Sequence, residues 1–131
     1  MIDASDVMTK EVISIPVGTS IREAANTLIE NGVGSVGIEK GGDIVGIVTD
    51  RDLVKFIGEG EKAKNVEEIM SSPLITVPPD MDLLEITRTM GKNKIKHLFV
   101  KENHKIVGIV SLRDVLTVMP EYILSYVAQR P

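Results

Sequence analysis

The stretch Gly46-Ile47-Val48-Thr49-Asp50-Arg51-Asp52 decides the reading of this chain, because it returns as Gly108-Ile109-Val110-Ser111-Leu112-Arg113-Asp114. Each copy is a β-branched apolar run, the mark of a strand. Each then ends in a hydroxyl residue with Asp three positions on, the pattern of a capping box that opens a helix. The same geometry has a second use. A helix N-terminus presents free N–H groups and the positive end of the dipole, which suit a phosphate. The hydroxyl can donate to such a group, and the Asp is suited to accepting from sugar hydroxyls. Arg recurs beside the Asp in both copies, as Arg51 and Arg113.

Working outward, the two copies lie inside a longer repeat that keeps one constant offset: Met8 with Met70, Pro16 with Pro78, Asp52 with Asp114. Register holds without a gap from Val7 to Val115, through helices and turns as well as strands, and the run Ile44–Val48 is identical to Ile106–Val110. This is a duplication. The first unit reads as a short helix near residues 3–10, capped by Asp3 or Ser5, then a strand Val12–Ile15 stopped by Pro16. A helix capped by Ser20 and Glu23 ends near Asn31-Gly32. A hairpin over Ser35–Ile38 and Ile44–Val48 turns at Gly41-Gly42, and a helix follows from Thr49. After the polar linker Gly58–Lys64 the order repeats: a short helix Val66–Met70, a strand Leu74–Val77, a helix opened by Asp82, a second hairpin, and a helix Ser111–Val118. The expected organisation is therefore 1–60, 61–119 and a tail 120–131, with Pro120 starting a separate helical segment.

Composition narrows the classes of function. The chain has 131 residues, 43% hydrophobic and 3% aromatic, so its core is built from aliphatic side chains. A net charge of −4 argues against coating nucleic acid. Without any Cys there is no disulfide, thiol nucleophile or thiolate metal site. No run is long and apolar enough for a membrane span, and the N-terminus does not read as a signal peptide, which leads to the expectation of a cytoplasmic protein. Enzyme motifs are missing: there is no P-loop lysine, G-x-S-x-G elbow or H-E-x-x-H, and no His in the first half. Gly32-Val33-Gly34-Ser35-Val36-Gly37 matches G-x-G-x-x-G, but it follows a helix and opens a strand, the reverse of the dinucleotide fingerprint. Lys92, Lys94, Lys96, His97, Lys101, His104 and Lys105 make a basic stretch that reads mainly as a solvated face. Lys96 and His97 stand apart as phosphate candidates, sitting where helix returns to strand. His97 and His104 flank a hairpin strand without a third ligand, so no metal site is expected.

The short helices ending Asp6-Val7-Met8-Thr9 and Glu68-Ile69-Met70-Ser71, the strands closed by Pro16 and Pro78, and the two Gly-to-Asp motifs together resemble a tandem pair of CBS (cystathionine β-synthase) domains. The resemblance spans about residues 5–118. It implies an α/β (α+β) fold of two β-α-β-β-α motifs, packed through their sheets about a pseudo-twofold axis, with clefts that bind adenosyl ligands. An adenine nucleotide (AMP, ADP or ATP) is the expected regulatory ligand, S-adenosylmethionine or a non-liganded interaction scaffold the alternatives, and no catalytic cofactor is expected. Carried over by position, one site uses Thr49, Arg51 and Asp52 with Leu74, Ile75 and Thr76, and with Lys96 and His97 near phosphate. The other uses Ser111, Arg113 and Asp114 with Val12, Ile13 and Ser14, and with Gly34 and Ser35. Family members often carry Pro in the strand where this chain has Gly37 and Phe99, a departure that bears on the occupancy of one site. The resemblance also implies a homodimer acting on an effector protein.

Overall fold

The computed structural model describes residues 1–128, and the chain forms two compact units, Val12–Leu74 and Met1–Glu11 with Ile75–Pro131. Each is a three-stranded sheet with helices, built on the order read from the sequence.

In the unit Val12–Leu74 the elements are β1 (Ser14–Pro16), α2 (Ile21–Asn31), β2 (Ser35–Lys40), β3 (Asp43–Thr49) and α3 (Asp50–Gly58), with a 3₁₀ turn at Val66–Glu68. Strand order is β1-β2-β3. β1 runs parallel to β2 with Ser14 opposite Gly37, and β2 runs antiparallel to β3 with Ser35 opposite Thr49. The hairpin turns on Gly41 and Gly42, both at positive φ, as a two-residue turn matched to strand twist requires. Ala24, Leu28, Val36, Ile38, Val48 and Val66 form the core. Alternation places Val36 and Ile38 on one face of β2 and Gly37 on the other.

The other unit holds α1 (Ala4–Val7), β4 (Thr76–Val77), α4 (Leu83–Asn93), β5 (His97–Glu102), β6 (Lys105–Ser111) and α5 (Leu112–Ala128). Its strand order β4-β5-β6, its pairings and its bulge at Val100/Lys101 reproduce those of the first sheet, which is bulged at Ile38/Glu39. Its core is Ala4, Val77, Leu83, Ile86, Met90, Leu98, Val100, Val110 and Val115. Phe99, the counterpart of Gly37, alternates to the opposite face of β5 from Leu98 and Val100 and is 1% exposed.

Asp3 caps α1 through a reciprocal box with Asp6, as expected. The N-terminal arm Met1–Glu11 belongs to the compact unit of the second repeat, its Ala4 N–H donating to the Met81 carbonyl and the Leu83 N–H to that of Ile2. Three details differ from the sequence reading. Residues 66–70 make only a 3₁₀ turn, because Ser71 leaves to pair with Ile47. Pro16 is the last residue of β1 rather than the residue that follows it, tolerable on an edge strand where the missing donor faces no partner. Finally, α5 runs unbroken through Pro120. Pro120 cannot donate to the Leu116 carbonyl, but Leu116 is 62% exposed, so water can serve that oxygen. Continuing the helix seats Val118, Met119 and Tyr122 on the core, and the Tyr122 hydroxyl donates to Asp82 Oδ2 at 3.0 Å. The last three positions of the expected tail lie outside the described residues.

Candidate functional site

In both repeats the Gly-to-Asp motif is the end of the third strand and the first turn of the helix after it. Thr49 is the N-cap of α3, in extended conformation, and its box with Asp52 is reciprocal. The Thr49 N–H donates to Asp52 Oδ2 at 2.8 Å and the Thr49 hydroxyl to the same oxygen at 3.2 Å, while the Asp52 N–H reaches Thr49 Oγ at 3.4 Å. The second copy matches: the Ser111 N–H donates to Asp114 Oδ2 at 2.9 Å and the Asp114 N–H to Ser111 Oγ at 3.1 Å. The capping role is therefore real in both. It occupies one carboxylate oxygen of each Asp, and among the described residues nothing hydrogen-bonds Oδ1 of either. Both Asp residues are half-buried. An ionised carboxylate is acceptor-only with capacity for several donors, so each motif retains an oxygen able to accept from vicinal hydroxyls. Arg51 and Arg113 project from the same first turns and are exposed.

Within the unit Val12–Leu74, Thr49 shares its sheet with Ser14 and Ser35, and Ile13 and Gly34 directly precede β1 and β2. The Gly34 carbonyl accepts from the Asp50 N–H at 3.1 Å, and Ser35 is 8% exposed opposite Thr49. Ile13 precedes β1 and accepts the Gly37 N–H at 2.9 Å, and the Ser14 hydroxyl donates to Glu39 at 3.3 Å. Sequence reading missed Glu39, because only the β1–β2 register brings it to Ser14. Within the other unit, Ser111 shares its sheet with Thr76 and His97, and Ile75 and Lys96 directly precede β4 and β5. The Lys96 carbonyl accepts from the Leu112 N–H at 2.8 Å, His97 pairs with Ser111, and Ile75 accepts the Phe99 N–H at 3.3 Å. The Lys96 side chain is exposed. The two corners are geometric equivalents with different chemistry: Gly34, Ser35 and Asp50 in one, Lys96, His97 and Leu112 in the other.

The G-x-G-x-x-G run follows α2 and opens β2, with Gly32 as the left-handed C-cap at φ 61°. Among the described residues no cluster of His, Asp and Glu could hold a metal ion, and no helix is long and apolar enough to cross a membrane.

A second feature escaped sequence reading. Both motif glycines lie under a methionine: a Cβ on Gly46 would fall 2.3 Å from Met70 Sδ, and one on Gly108 would fall 2.6 Å from Met8 Sδ. The signal was present as the recurrence of Met before Thr9 and Ser71, but nothing in sequence said what the sulfur touches.

A family model of the CBS domain matches residues 4–59 and 66–121. An uncharacterized protein of Methanopyrus kandleri is 38% identical over 125 residues, which are 91% of this chain and 63% of that protein, so this chain spans less than two thirds of that relative. The CBS domain-containing protein YhcV of Bacillus subtilis is 30% identical over 116 residues, 87% of this chain and 83% of YhcV. Among solved structures, the CBS domain pair of protein MJ0100 in complex with 5′-methylthioadenosine and S-adenosyl-L-methionine superposes with a TM-score of 0.85 at 28% identity, covering 93% of this chain and 98% of that one.

Proposed function

The chain belongs to the CBS domain family, and from that premise we propose that it is a regulatory module which binds an adenosyl ligand and reports its occupancy to an effector protein. One observation carries the reading. In both repeats the capping box uses only Oδ2 of the motif aspartate, leaving Oδ1 of Asp52 and Asp114 to accept ribose hydroxyls beside a helix N-terminus. The ligand complex of the MJ0100 domain pair supports the adenosyl class.

Ligand contact is assigned to Thr49, Arg51 and Asp52 of one motif and Ser111, Arg113 and Asp114 of the other, and to Ile13, Ser14, Gly34, Ser35, Ile75, Thr76, Lys96 and His97. Lys96 and the two arginines supply cations for phosphate, which favours an adenine nucleotide. The MJ0100 complex favours a methylthioadenosine or S-adenosylmethionine type of ligand as the second reading. No catalytic role is assigned. A cytoplasmic, homodimeric sensor completes the proposal.

Calorimetric titration of the wild-type chain with AMP, ATP, 5′-methylthioadenosine and S-adenosylmethionine tests it. A hydrogen bond to a charged group is worth about 1.5–3 kcal/mol, so Asp52→Ala and Asp114→Ala should each weaken one binding event by roughly ten- to a hundredfold. No binding by wild type, or unchanged binding in the double variant, refutes the proposal and leaves a scaffold whose motifs only cap helices.

A further inference from the structure

The methionines against the motif glycines have a role beyond packing. Met70-Ser71 runs along the free edge of β3: Ile47 and Ser71 exchange two backbone hydrogen bonds, of 3.1 and 2.9 Å. Met8-Thr9 does the same on β6, where Thr9 and Ile109 exchange bonds of 2.8 and 3.0 Å. Each dipeptide is a strap, tied by backbone at the Ile and seated by sulfur on the Gly before it. The seat has no slack, since a Cβ on Gly46 would meet Met70 Sδ at 2.3 Å, Cγ at 2.9 Å and Cβ at 3.2 Å. The matching values at Gly108 against Met8 are 2.6, 2.9 and 3.1 Å. Glycine is required here to admit a neighbour rather than to adopt a special φ.

The strapped residues stand immediately before the ligand motif. Ile47 is two residues from Thr49, and Ile109 two from Ser111, so the strap fixes the outer edge of the strand whose last residue is the N-cap. The inner edge is held by β2 or β5, through Ser35 opposite Thr49 and His97 opposite Ser111. Without the strap the strand end is held from one side only. Each strap also leads out of its unit. The chain passes from one compact unit to the other between Glu11 and Val12 and again between Leu74 and Ile75, a few residues past Thr9 and Ser71.

We infer that Met8-Thr9 and Met70-Ser71 are positioning residues for the ligand motifs, each holding the carboxylate of Asp114 or Asp52 in place through the strand it clamps, without touching ligand. The inference builds on the adenosyl-binding reading but is tested separately from it. Residue-resolved amide exchange of the full, unliganded chain is compared for wild type, Gly46→Ala, Met70→Ala, and Gly46→Ala with Met70→Ala. The alanine methyl displaces Met70, whereas removing Sδ and Cγ from Met70 leaves only the 3.2 Å contact. Gly46→Ala should speed exchange at Ile47, Ser71, Thr49 and Asp52 about tenfold, and the double variant should return Thr49 and Asp52 to within about threefold of Met70→Ala alone. Asp114 should not change. The same variants titrated with AMP and S-adenosylmethionine should show an affinity loss of about tenfold for Gly46→Ala, and in the double variant a return to within about threefold of Met70→Ala alone.

Faster exchange confined to Ile47 and Ser71, with Thr49 and Asp52 unmoved, overturns the inference, as does failure of Met70→Ala to rescue. If Gly46→Ala does not fold, Met70→Ala alone decides, since an unaltered Asp52 amide in that variant also overturns it. If the wild type binds neither ligand, the adenosyl reading fails while the exchange experiment still judges the strap.

Discussion

Lys94 ends α4 in the left-handed region at φ 56°, where the first repeat has Gly32 at φ 61° in the same position on α2. The two caps are otherwise alike. Gly32 N–H donates to the Ile29 carbonyl and Val33 N–H to that of Leu28, while Lys94 N–H donates to Gly91 and Ile95 N–H to Met90. An L-residue held left-handed costs about 1–2 kcal/mol. Replacing it with glycine returns that amount and concedes about 0.4–1 kcal/mol through the freer unfolded chain. Losing the Lys94 charge near the helix C-terminus costs only about 0.3 kcal/mol, with Lys92 still present. Lys94→Gly should therefore stabilise the unit containing α4 by about 0.5 kcal/mol, raising the midpoint of thermal unfolding by roughly 2 °C. Gly32→Ala is the mirror test: nothing lies within 4 Å of the added Cβ, so only conformation changes, and the midpoint should fall by a similar or larger amount. Differential scanning calorimetry of the two variants beside wild type measures both. A neutral or destabilising Lys94→Gly together with a neutral Gly32→Ala would refute the argument that backbone conformation governs these caps.

Other outcomes follow from the same geometry. Phe99→Ala should destabilise by about 3–5 kcal/mol in urea unfolding, since it empties a fully buried aromatic site, and a loss below about 1 kcal/mol would mean that the site collapses freely. The Ser5 hydroxyl, and after it the Asp6 N–H, hold the Asp3 carboxyl below its ordinary value of 3.8 against the opposing effect of burial. A depressed carboxyl stabilises at pH above its unfolded value and loses that contribution as pH falls through the folded one. The Asp6 amide should thus lose protection on acidification below about pH 4, and Asp3→Asn should abolish that pH dependence. Burial, followed by the bond to Asp82, raises the Tyr122 hydroxyl above its ordinary 10.0, so its contribution is present below that pH and lost as pH rises through the raised value. Tyr122→Phe should flatten the alkaline limb of a stability profile. Light scattering of the full chain beside one ending at Met119 reports whether the outer face of α5, with Ile123, Leu124 and Val127 exposed, sustains a homodimer.

What the sequence determined by itself was local and repeated. Period-2 and period-3.6 patterns placed the hairpins and the long helices, and the capping residues Asp3, Ser20, Thr49 and Asp82 fixed their starts, because caps bond within three residues of themselves. The duplication then made each half a check on the other. The motif Asp residues were readable for the same reason. What only the tertiary structure decided depends on bonds between residues far apart in the chain. Nothing local shows that the arm Met1–Glu11 belongs with the second repeat, that Met70 lies on Gly46 and Met8 on Gly108, or that Glu39 takes the Ser14 hydroxyl. Pro120 is the opposite lesson: its local preference for a helix start was outweighed by seating Met119 and Tyr122 on the core, since one lost backbone bond beside exposed Leu116 costs less than leaving those side chains in water. The Gly-to-Asp stretch is thus a cap by its own residues, and the strap that holds it comes from the start of the other repeat.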